Sequence, residues 1–327
     1  MIRSVLAIAC SALITSEAAA QGLAQHGRVH TDTLWAQSLG TTKSLTVYLP
    51  PSYASSPARR YPVLVYLHGL TGNERNWVDA GHLDRTLDSL IAAGRPEAIV
   101  VMPDGDDSWY TTWNGLPDLA GCRADSTRRE PADRYCVPWP HYDDYIARDI
   151  VAHVDARYRT VADRAHRGIA GLSMGGFGAV TLALAYPDVF AAAASHSGVL
   201  SPRFLGPVPY APPAQYARTV PELQRSTRNL WKSMSPAFGR DTIGWVARDP
   251  GALAARQVAA GGPLPRLRID CGVDDPYVNQ NRDFHQTLLR LGVSHEYAEW
   301  PGAHTWTYWT SHAAESLTFL LGVVAPR

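Results

Sequence analysis

The chain has 327 residues, of which 46% are hydrophobic and 18% charged, so it is long enough to bury one large core. Lys plus Arg and Asp plus Glu each number 30, which gives a formal net charge of zero. A neutral chain without a basic run lacks the electrostatic attraction that nucleic-acid-binding proteins use. We therefore predict no nucleic-acid partner and expect a small-molecule one.

The first twenty residues have the pattern of a cleaved secretory signal peptide. Arg3 forms a short basic region, residues 5–14 are mostly apolar, and small residues end the segment before Gln21. The apolar run is too short to span a bilayer, and no later stretch is long and apolar enough to do so. A lipid anchor at Cys10 is the alternative. We predict a signal peptide at 1–20 and a secreted or periplasmic protein.

Three cysteines remain after this segment. Cys122 and Cys136 flank the polar segment 123–135. Because exported proteins meet an oxidising compartment, these two cysteines are predicted to form a disulfide, with two unpaired thiols as the alternative. Cys271 ends an apolar run and is interpreted as a small buried hydrophobe.

From residue 62 onward, short apolar runs rich in β-branched residues alternate with longer segments of helical periodicity. The predicted strands are 62–67, 98–102, 167–171, 190–195, 264–271 and 295–300. The predicted helices are 142–158, 174–186, 279–291 and 305–321. Continuous apolar strands that alternate with helices indicate a mostly parallel sheet covered by helices on both faces. We predict a single α/β domain at 21–327.

Two segments depart from this alternation. Residues 46–49 are more polar than the other strands and are predicted to belong to an antiparallel edge. Between residues 199 and 262 the pattern weakens, with many prolines plus Trp231 and Trp245. We interpret this stretch as a small insertion over the carboxyl ends of the strands, which either binds substrate or is a surface excursion.

The strongest functional motif is at residues 171–175, which read Gly-Leu-Ser-Met-Gly. Gly-x-Ser-x-Gly is the nucleophile elbow, a sharp turn between a strand and a helix whose flanking positions must lack a Cβ. Here the motif follows the strand predicted at 167–171 and opens the helix predicted at 174–186. Ser173 would then lie at a helix N-terminus, where developing negative charge is favoured. A glycine-rich turn with a bystander serine is the alternative.

A serine nucleophile needs a base within hydrogen-bond reach, and the expected chain order is serine, acid, histidine. The histidines that follow Ser173 are His196, His285, His295, His304 and His312. Of these, only His304 lies in a loop between the last predicted strand and the last helix, where a base must project. Among the others, one precedes every candidate acid, two lie inside predicted helices and one begins a strand. We expect His304 to be the base and the rate to fall when it is protonated.

The acid that orients this imidazole is expected in the loop after the preceding strand. Residues 271–276 form that loop and offer two carboxylates, Asp274 and Asp275. Asp270 lies within the strand and is less suitable.

An oxyanion hole requires two backbone N–H groups that point at the developing charge. One is expected from Met174, directly after the serine. The other is expected from the loop 68–72, where Leu70 is the candidate because Gly69 allows the backbone to turn inward.

Several of these motifs together resemble the putative-esterase branch of the α/β-hydrolases, and the resemblance covers most of the chain after residue 20. That branch includes esterase D or S-formylglutathione hydrolase proteins, tributyrin-type esterases, feruloyl esterases and mycolyltransferases. The motifs that carry the resemblance are Tyr66-Leu67-His68-Gly69, Asn76-Trp77, residues 102–105, residues 108–110, residues 171–178, Cys271-Gly272-x-x-Asp275 and Gly302-x-His304-x-Trp306. The combination is specific to the family but not to one substrate.

The resemblance implies an α/β-hydrolase fold and favours Asp275 over Asp274 as the acid. The predicted signal peptide argues against the cytosolic role of an S-formylglutathione hydrolase. Mycolyltransferases of this type carry a glutamate where this chain has Asp275. Trp109, Tyr110 and Trp306, together with Trp309, either wall an aromatic substrate pocket or are ordinary core residues.

The predicted function is hydrolysis of short-chain or aryl carboxylic esters through an acyl-enzyme, without a metal or organic cofactor. A feruloyl-type esterase and an acyltransferase to a carbohydrate or lipid alcohol are alternatives with the same residues. A non-catalytic surface or carbohydrate-binding protein is the alternative from another class, although such proteins usually lose one of the three residues that this chain retains.

Overall fold

The main sheet is mixed and has eight strands within the described part of the chain. The computed structural model describes residues 26–126 and 131–325, and the predicted signal peptide lies outside them. The strands of this sheet are β1 (Arg28–Ala36), β2 (Thr41–Leu49), β3 (Val63–Leu67), β4 (Ile99–Pro103), β5 (Arg167–Leu172), β6 (Ala192–His196), β9 (Arg266–Gly272) and β10 (His295–Trp300). The remaining strands, β7 (Phe204–Gly206) and β8 (Gln215–Tyr216), form a separate antiparallel pair.

The spatial order in the main sheet is β1-β2-β4-β3-β5-β6-β9-β10. All pairings from β4 to β10 are parallel, whereas β2 is antiparallel to both β1 and β4. The antiparallel direction predicted for 46–49 is confirmed, but the edge strand on that side is β1, which the apolar pattern did not predict. Half of β1 faces solvent, so it lacks the continuous apolar run that marks the central strands.

Helices connect the strands and cover the sheet. They are α1 (Asn76–Asp79), α2 (Leu83–Ala92), α3 (Leu119–Ala124), α4 (Ala132–Tyr135), α5 (Tyr142–Asp144), α6 (Val151–Arg157), α7 (Met174–Ala185), α8 (Val220–Thr227), α9 (Trp231–Phe238), α10 (Thr242–Arg248), α11 (Pro250–Ala259), α12 (Val278–Arg290) and α13 (Trp306–Val324). A π-helical segment at Tyr145–Ile150 joins α5 to α6, so the helix predicted at 142–158 is one continuous element with an irregular centre.

Two separate hydrophobic clusters lie on the two faces of the sheet. One contains the buried side of the 142–157 helix, α7 and most of the segment 199–262. The other contains α2 and α13. Because each central strand contributes side chains to both clusters, every residue of β3, β4 and β5 is buried. The predicted layers of helix, sheet and helix are therefore present.

The segment predicted as an insertion leaves the sheet at the carboxyl end of β6 and returns to it at the start of β9. It contains the β7–β8 pair and helices α8 to α11, of which α11 packs against α7. The segment therefore has two parts. Helix α11 is the crossover helix between the parallel strands β6 and β9, and the residues before α11 are an extension of that connection.

The predicted disulfide is present between Cys122 and Cys136, whose Cα atoms are 5.7 Å apart, and Cys271 is buried as a free thiol. Closing a loop of this length stabilises a fold by about 3 kcal/mol in the chain-entropy model. No helix in the described ranges is both long and apolar enough to cross a bilayer.

Candidate active site

The serine of the elbow lies between the end of β5 and the start of α7. Its backbone has φ 53° and ψ −115°, a conformation that costs a non-glycine residue about 1–3 kcal/mol. A Cβ at Gly171 would lie 2.3 Å from the Gly175 oxygen, and one at Gly175 would lie 2.4 Å from the Leu67 oxygen. The two glycines are thus required because the backbone of the turn passes this close to itself and to β3. The turn projects Ser173 from the carboxyl edge of the sheet.

His304 and Asp275 reach this serine from two other loops. His304 Nε2 lies 2.9 Å from Ser173 Oγ, and His304 Nδ1 lies 2.7 Å from Asp275 Oδ2. An ionised carboxylate accepts hydrogen bonds only, so the imidazole Nδ1 carries the hydrogen and Nε2 presents a lone pair to the serine hydroxyl. The three side chains form one continuous hydrogen-bonded chain.

The acid loop holds its carboxylate in a fixed orientation. Asp275 is 2% exposed, and its other oxygen, Oδ1, accepts the N–H of Tyr277 at 2.8 Å. The neighbouring Asp274 is exposed, and its backbone N–H donates to the Gly302 oxygen at 3.0 Å, which joins the acid loop to the loop of the histidine. The structure therefore brings Asp275, and not Asp274, to His304.

Asp270 belongs to a second pair. It accepts from His196 Nδ1 at 2.9 Å and from the Tyr308 hydroxyl at 3.1 Å, in a fully buried position on the adjacent strands β6 and β9. The backbone oxygen of His196 in turn accepts the N–H of Ser173 at 2.9 Å. This pair lies directly behind the elbow and holds its backbone.

The loop expected to supply an oxyanion donor is held by three hydrogen bonds, one within the loop and two to residues outside it. His68 Nδ1 lies 2.8 Å from the Gly69 oxygen, and the N–H of Gly105 donates to His68 Nε2 at 3.0 Å. The N–H of Thr71 donates to Asp107 at 2.6 Å. Leu70 lies between these anchored residues.

The second expected donor is at the helix start. Met174 is the first residue of α7, and the first N–H groups of a helix have no intrahelical acceptor. Its N–H is therefore available where the elbow meets the sheet edge, beside the loop of Leu70.

A buried charge cluster supports the loop that carries Asp107. Lys43 contacts Asp104 at 2.7 Å and Asp106 at 2.9 Å, and the Tyr142 hydroxyl donates to Asp106 at 2.6 Å. Burial raises the pKa of Asp106 to about 6 even though the Lys43 charge opposes this shift. Burial also acts to raise the pKa of Asp104, but the Lys43 charge and the contacts with His68 outweigh it and hold that pKa well below its usual range. Charges buried this deeply persist because they are paired and hydrogen-bonded.

Two of the aromatic pocket candidates are core residues. Trp109 is 0% exposed and packs edge-on against Phe177, while Tyr110 is 1% exposed and donates its hydroxyl to the His68 oxygen. Both residues are thus part of the core, and Tyr110 also lines a cavity of about 250 Å³ together with Thr111 and Phe177. They support the active site from within the core. Each ring buries apolar area, and its polar atom makes a hydrogen bond.

Other aromatic side chains surround the imidazole. The rings of Tyr277 and Trp309 approach His304 nearly edge-on, with centroids 5.0 and 4.9 Å away. Trp306 is partly exposed and packs edge-on against Trp309 at 5.4 Å. Tyr277 was not among the predicted site residues, although its position two residues after Asp275 in the acid loop could have indicated it.

A cavity of about 840 Å³ lies next to Asp107. Its walls come from residues 106–125, 135–142 and 235–240, including the disulfide residue Cys122 and the Asp107 carboxylate that accepts from Thr71. The cavity is therefore shared by the disulfide loop and the segment 199–262, and it reaches Asp107, which holds the loop of the predicted oxyanion donor.

A mostly parallel sheet with a serine on a strand-to-helix elbow, an acid loop after a later strand and a histidine loop before the last helix defines an α/β-hydrolase. A ferulic acid esterase of known structure superposes with a TM-score of 0.66 and 25% identity over 92% of this chain and 99% of that one. The S-formylglutathione hydrolase of Staphylococcus aureus gives 0.62 and 24% over 91% and 97%.

The sequence matches the family model described as Putative esterase over residues 36–320, and the chain belongs to that family. Esterase Rv1288 of Mycobacterium tuberculosis is 30% identical over 287 residues, a match that covers 82% of this chain. The chain spans about half the length of that relative, since the match covers 53% of it.

Proposed function

We propose that this protein hydrolyses carboxylic esters through a covalent acyl-enzyme on Ser173. The observation that carries this proposal is the hydrogen-bonded chain from Ser173 Oγ to His304 at 2.9 Å and from His304 to Asp275 at 2.7 Å. Membership of the Putative esterase family supports it. The first distance lies within the range in which a base can take a proton from a hydroxyl, and the second is that of a hydrogen bond which orients the base.

In the first half-reaction, Ser173 Oγ attacks the ester carbonyl carbon while its proton passes to His304 Nε2. The carbonyl oxygen becomes an oxyanion that accepts hydrogen bonds from the N–H groups of Leu70 and Met174. The buried Asp275 carboxylate stabilises the imidazolium at this stage. His304 then donates the proton to the leaving alcohol oxygen as the carbon–oxygen bond breaks, which leaves an acyl-serine.

In the second half-reaction, water takes the position of the alcohol. His304 accepts a proton from this water as it attacks the acyl carbonyl carbon, and the proton then returns to Ser173 Oγ when the acid leaves. Both halves need the same groups, and this explains why one hydrogen-bonded chain is sufficient. A carbohydrate or lipid alcohol in place of the water would give acyl transfer.

The substrates we propose are esters of short-chain or aryl acids. The edge-on rings of Tyr277 and Trp309 beside His304 support an apolar surface next to the reacting bond. The ferulic acid esterase among the structural neighbours supports a feruloyl-type ester as the second candidate. We also propose export after removal of residues 1–20, which the disulfide between Cys122 and Cys136 supports.

A fluorophosphonate probe tests the nucleophile. We expect it to label the wild-type protein and not the Ser173→Ala variant. Labelling of both proteins, or of neither, would contradict the proposal.

Three measurements resolve the substrate and the location. Hydrolysis rates for p-nitrophenyl esters of increasing acyl length and for methyl ferulate rank the acyl groups. Addition of alcohol acceptors, with the products measured, separates transfer from hydrolysis. Mass spectrometry of the mature protein should find Gln21 at its N-terminus, and an uncleaved chain would contradict the proposed export signal.

A further inference from the structure

The turn that carries the Leu70 N–H lies directly against the nucleophile elbow. A Cβ added at Gly69 would lie 3.6 Å from the Cβ of Ser173 and 2.7 Å from a methyl carbon of Leu172. In addition to the contacts described above, the N–H of Gly72 donates to the Gly69 oxygen at 3.0 Å, which closes a four-residue turn. The orientation of the peptide groups in this turn therefore decides where the Leu70 N–H points relative to Ser173.

The first of these peptide groups joins Gly69 to Leu70. Its oxygen accepts from His68 Nδ1 at 2.8 Å as well as from the Gly72 N–H. Because the C=O and N–H of a trans peptide point in opposite directions, two hydrogen bonds to the oxygen also fix the direction of the Leu70 N–H. This N–H donates to no residue of 26–126 or 131–325, so it is available to an oxyanion.

The second peptide group, between Leu70 and Thr71, is held by a side chain from outside the turn. The N–H of Thr71 donates to Asp107 Oδ1 at 2.6 Å. Thr71 has φ 63°, in the left-handed region that a β-branched residue rarely adopts. Such a conformation persists only where the surroundings hold it, and the hydrogen bond from Asp107 provides this restraint. Without it, relaxation of Thr71 would rotate the peptide groups on either side of Leu70.

Asp107 is itself held in place by its neighbours in the chain. Asp106, before it, lies 2.9 Å from Lys43 and accepts from the Tyr142 hydroxyl at 2.6 Å. Ser108, after it, is fully buried. Asp107 is only partly buried and lines the cavity of about 840 Å³. Its carboxylate therefore projects from an anchored backbone and can hold the turn in one orientation.

We propose that Asp107 is a positioning residue that keeps the oxyanion hole in its working geometry. This inference rests on the proposed function, in which the N–H of Leu70 donates to the oxyanion formed from the ester carbonyl. Asp107 acts through Thr71, because its carboxylate holds the turn before the charge develops. Donors aligned in advance stabilise the transition state more than the bound ester. Loss of the contact should therefore slow the reaction without weakening substrate binding.

Steady-state hydrolysis of p-nitrophenyl acetate tests this role. We expect Asp107→Ala to lower kcat and kcat/KM equally, by about 30-fold, because the loss falls on the transition state. Asp107→Asn keeps an acceptor oxygen for the Thr71 N–H and should retain about a third of the wild-type kcat. The acid limb of the pH profile should have the same midpoint in all three proteins, because the hydrogen bonds of His304 with Ser173 and Asp275 are unchanged.

Inhibition by trifluoroacetone separates an effect on the oxyanion hole from a general loss of structure. The Ser173 oxygen bonds to the ketone carbon, the serine proton passes to His304, and the ketone oxygen becomes an oxyanion. This adduct resembles the tetrahedral intermediate. Its inhibition constant should therefore rise in Asp107→Ala by about the same 30-fold factor as the fall in kcat/KM.

Asp118→Ala is the matched control. Asp118 lines the same cavity, and its carboxylate also accepts a backbone N–H, from Gly121 at 2.9 Å. Its kcat and its inhibition by trifluoroacetone should equal those of the wild type. If Asp107→Ala is poorly folded by circular dichroism, Asp107→Glu keeps the charge but moves the carboxylate by one methylene. It should then show the same equal loss of kcat and kcat/KM.

The inference is overturned if folded Asp107→Ala keeps kcat within about twofold of the wild type, or if its inhibition constant for trifluoroacetone is unchanged. An equal loss of activity in Asp118→Ala would also overturn it, since the effect would then belong to the cavity wall in general. Failure of the wild type to hydrolyse the ester, together with absent fluorophosphonate labelling, would instead overturn the proposed function. The two failures are therefore distinguishable.

Discussion

Two histidine–aspartate pairs lie side by side at the carboxyl edge of the sheet, and their contacts differ in an instructive way. His304 and Asp275 are 2.7 Å apart, and His196 and Asp270 are 2.9 Å apart. The His304 side chain is 24% exposed and meets Ser173, whereas the His196 side chain is 0% exposed. An imidazole oriented by a carboxylate is thus not sufficient for proton transfer. It also needs a nucleophile and access for substrate.

The buried pair has a structural explanation. His196 and Asp270 occupy directly paired positions on β6 and β9, and Asp270 also accepts from Tyr308 on α13. The pair therefore joins two strands and a helix behind the elbow. His196 Nε2 has no hydrogen-bond partner among the described residues, as expected for a histidine that packs against Trp77 and not against a proton donor.

The largest effect is expected from removing the exposed imidazole. His304→Ala should lower kcat for p-nitrophenyl acetate by about 10⁶-fold, because the serine then has no base and the leaving alcohol has no acid. The measurement is steady-state turnover with circular dichroism to verify folding. A folded variant that keeps a hundredth of the wild-type activity would contradict the assignment of His304, since another residue would then act as the base.

The acid of the exposed pair is expected to come next. Asp275→Asn should lower kcat by about 10⁴-fold, because an amide neither holds the Nδ1–H tautomer nor stabilises the imidazolium. Asp274→Asn is the matched control, since this neighbouring carboxylate is exposed. Its turnover should equal that of the wild type, and equal losses in the two variants would contradict the assignment of Asp275.

Asp270→Asn tests the buried pair and should act on stability. Asparagine cannot accept from both His196 and Tyr308 as well as a carboxylate does, so we expect the free energy of unfolding to fall by about 1–3 kcal/mol. Denaturant titration measures this change, and kcat per folded molecule should stay near the wild-type value. Unchanged stability with a large loss of turnover would give this pair a role in the reaction.

Another buried carboxylate, Asp249, sharpens the comparison because it has no histidine partner among the described residues. It caps α11 by accepting the N–H of Ala252, and burial raises its pKa from 3.8 to about 6. A carboxyl with a raised folded-state pKa binds more protons in the folded state, so it lowers stability as the pH rises from about 4 to 6, and the full penalty is present above that window.

Asp249→Asn removes this penalty and retains the cap, because asparagine is an equally good capping residue. We expect the variant to be more stable than the wild type by about 2 kcal/mol at pH 8 and to have no advantage at pH 4. Thermal unfolding of both proteins at the two pH values provides the measurement. An equal difference at both would show that the charge of Asp249 is not responsible.

Local sequence was most informative where all the residues that a structural feature requires lie in one short segment. The Gly-x-Ser-x-Gly turn predicts its own geometry, because the glycines and the strained serine are within five residues of one another. The central strands were likewise recognisable from continuous apolar runs. Strand β1 was not, because half of it faces solvent.

Pairing between distant segments could not be read in the same way. Asp270, Asp274 and Asp275 lie within six residues. The predicted strand set Asp270 aside, but only the family resemblance distinguished Asp275 from Asp274. In the structure, one is buried with His196, one is exposed and one reaches His304. The differences arise from partners on other strands and loops.

The amino-acid sequence by itself determined the order of serine, acid and histidine, the elbow and the likeness to esterases, since these depend on residue type and local spacing. The tertiary structure decided that Asp275 meets His304 and that Trp109 and Tyr110 are buried. The physical reason is that burial and hydrogen bonding between remote segments exist only once the sheet has brought those segments together.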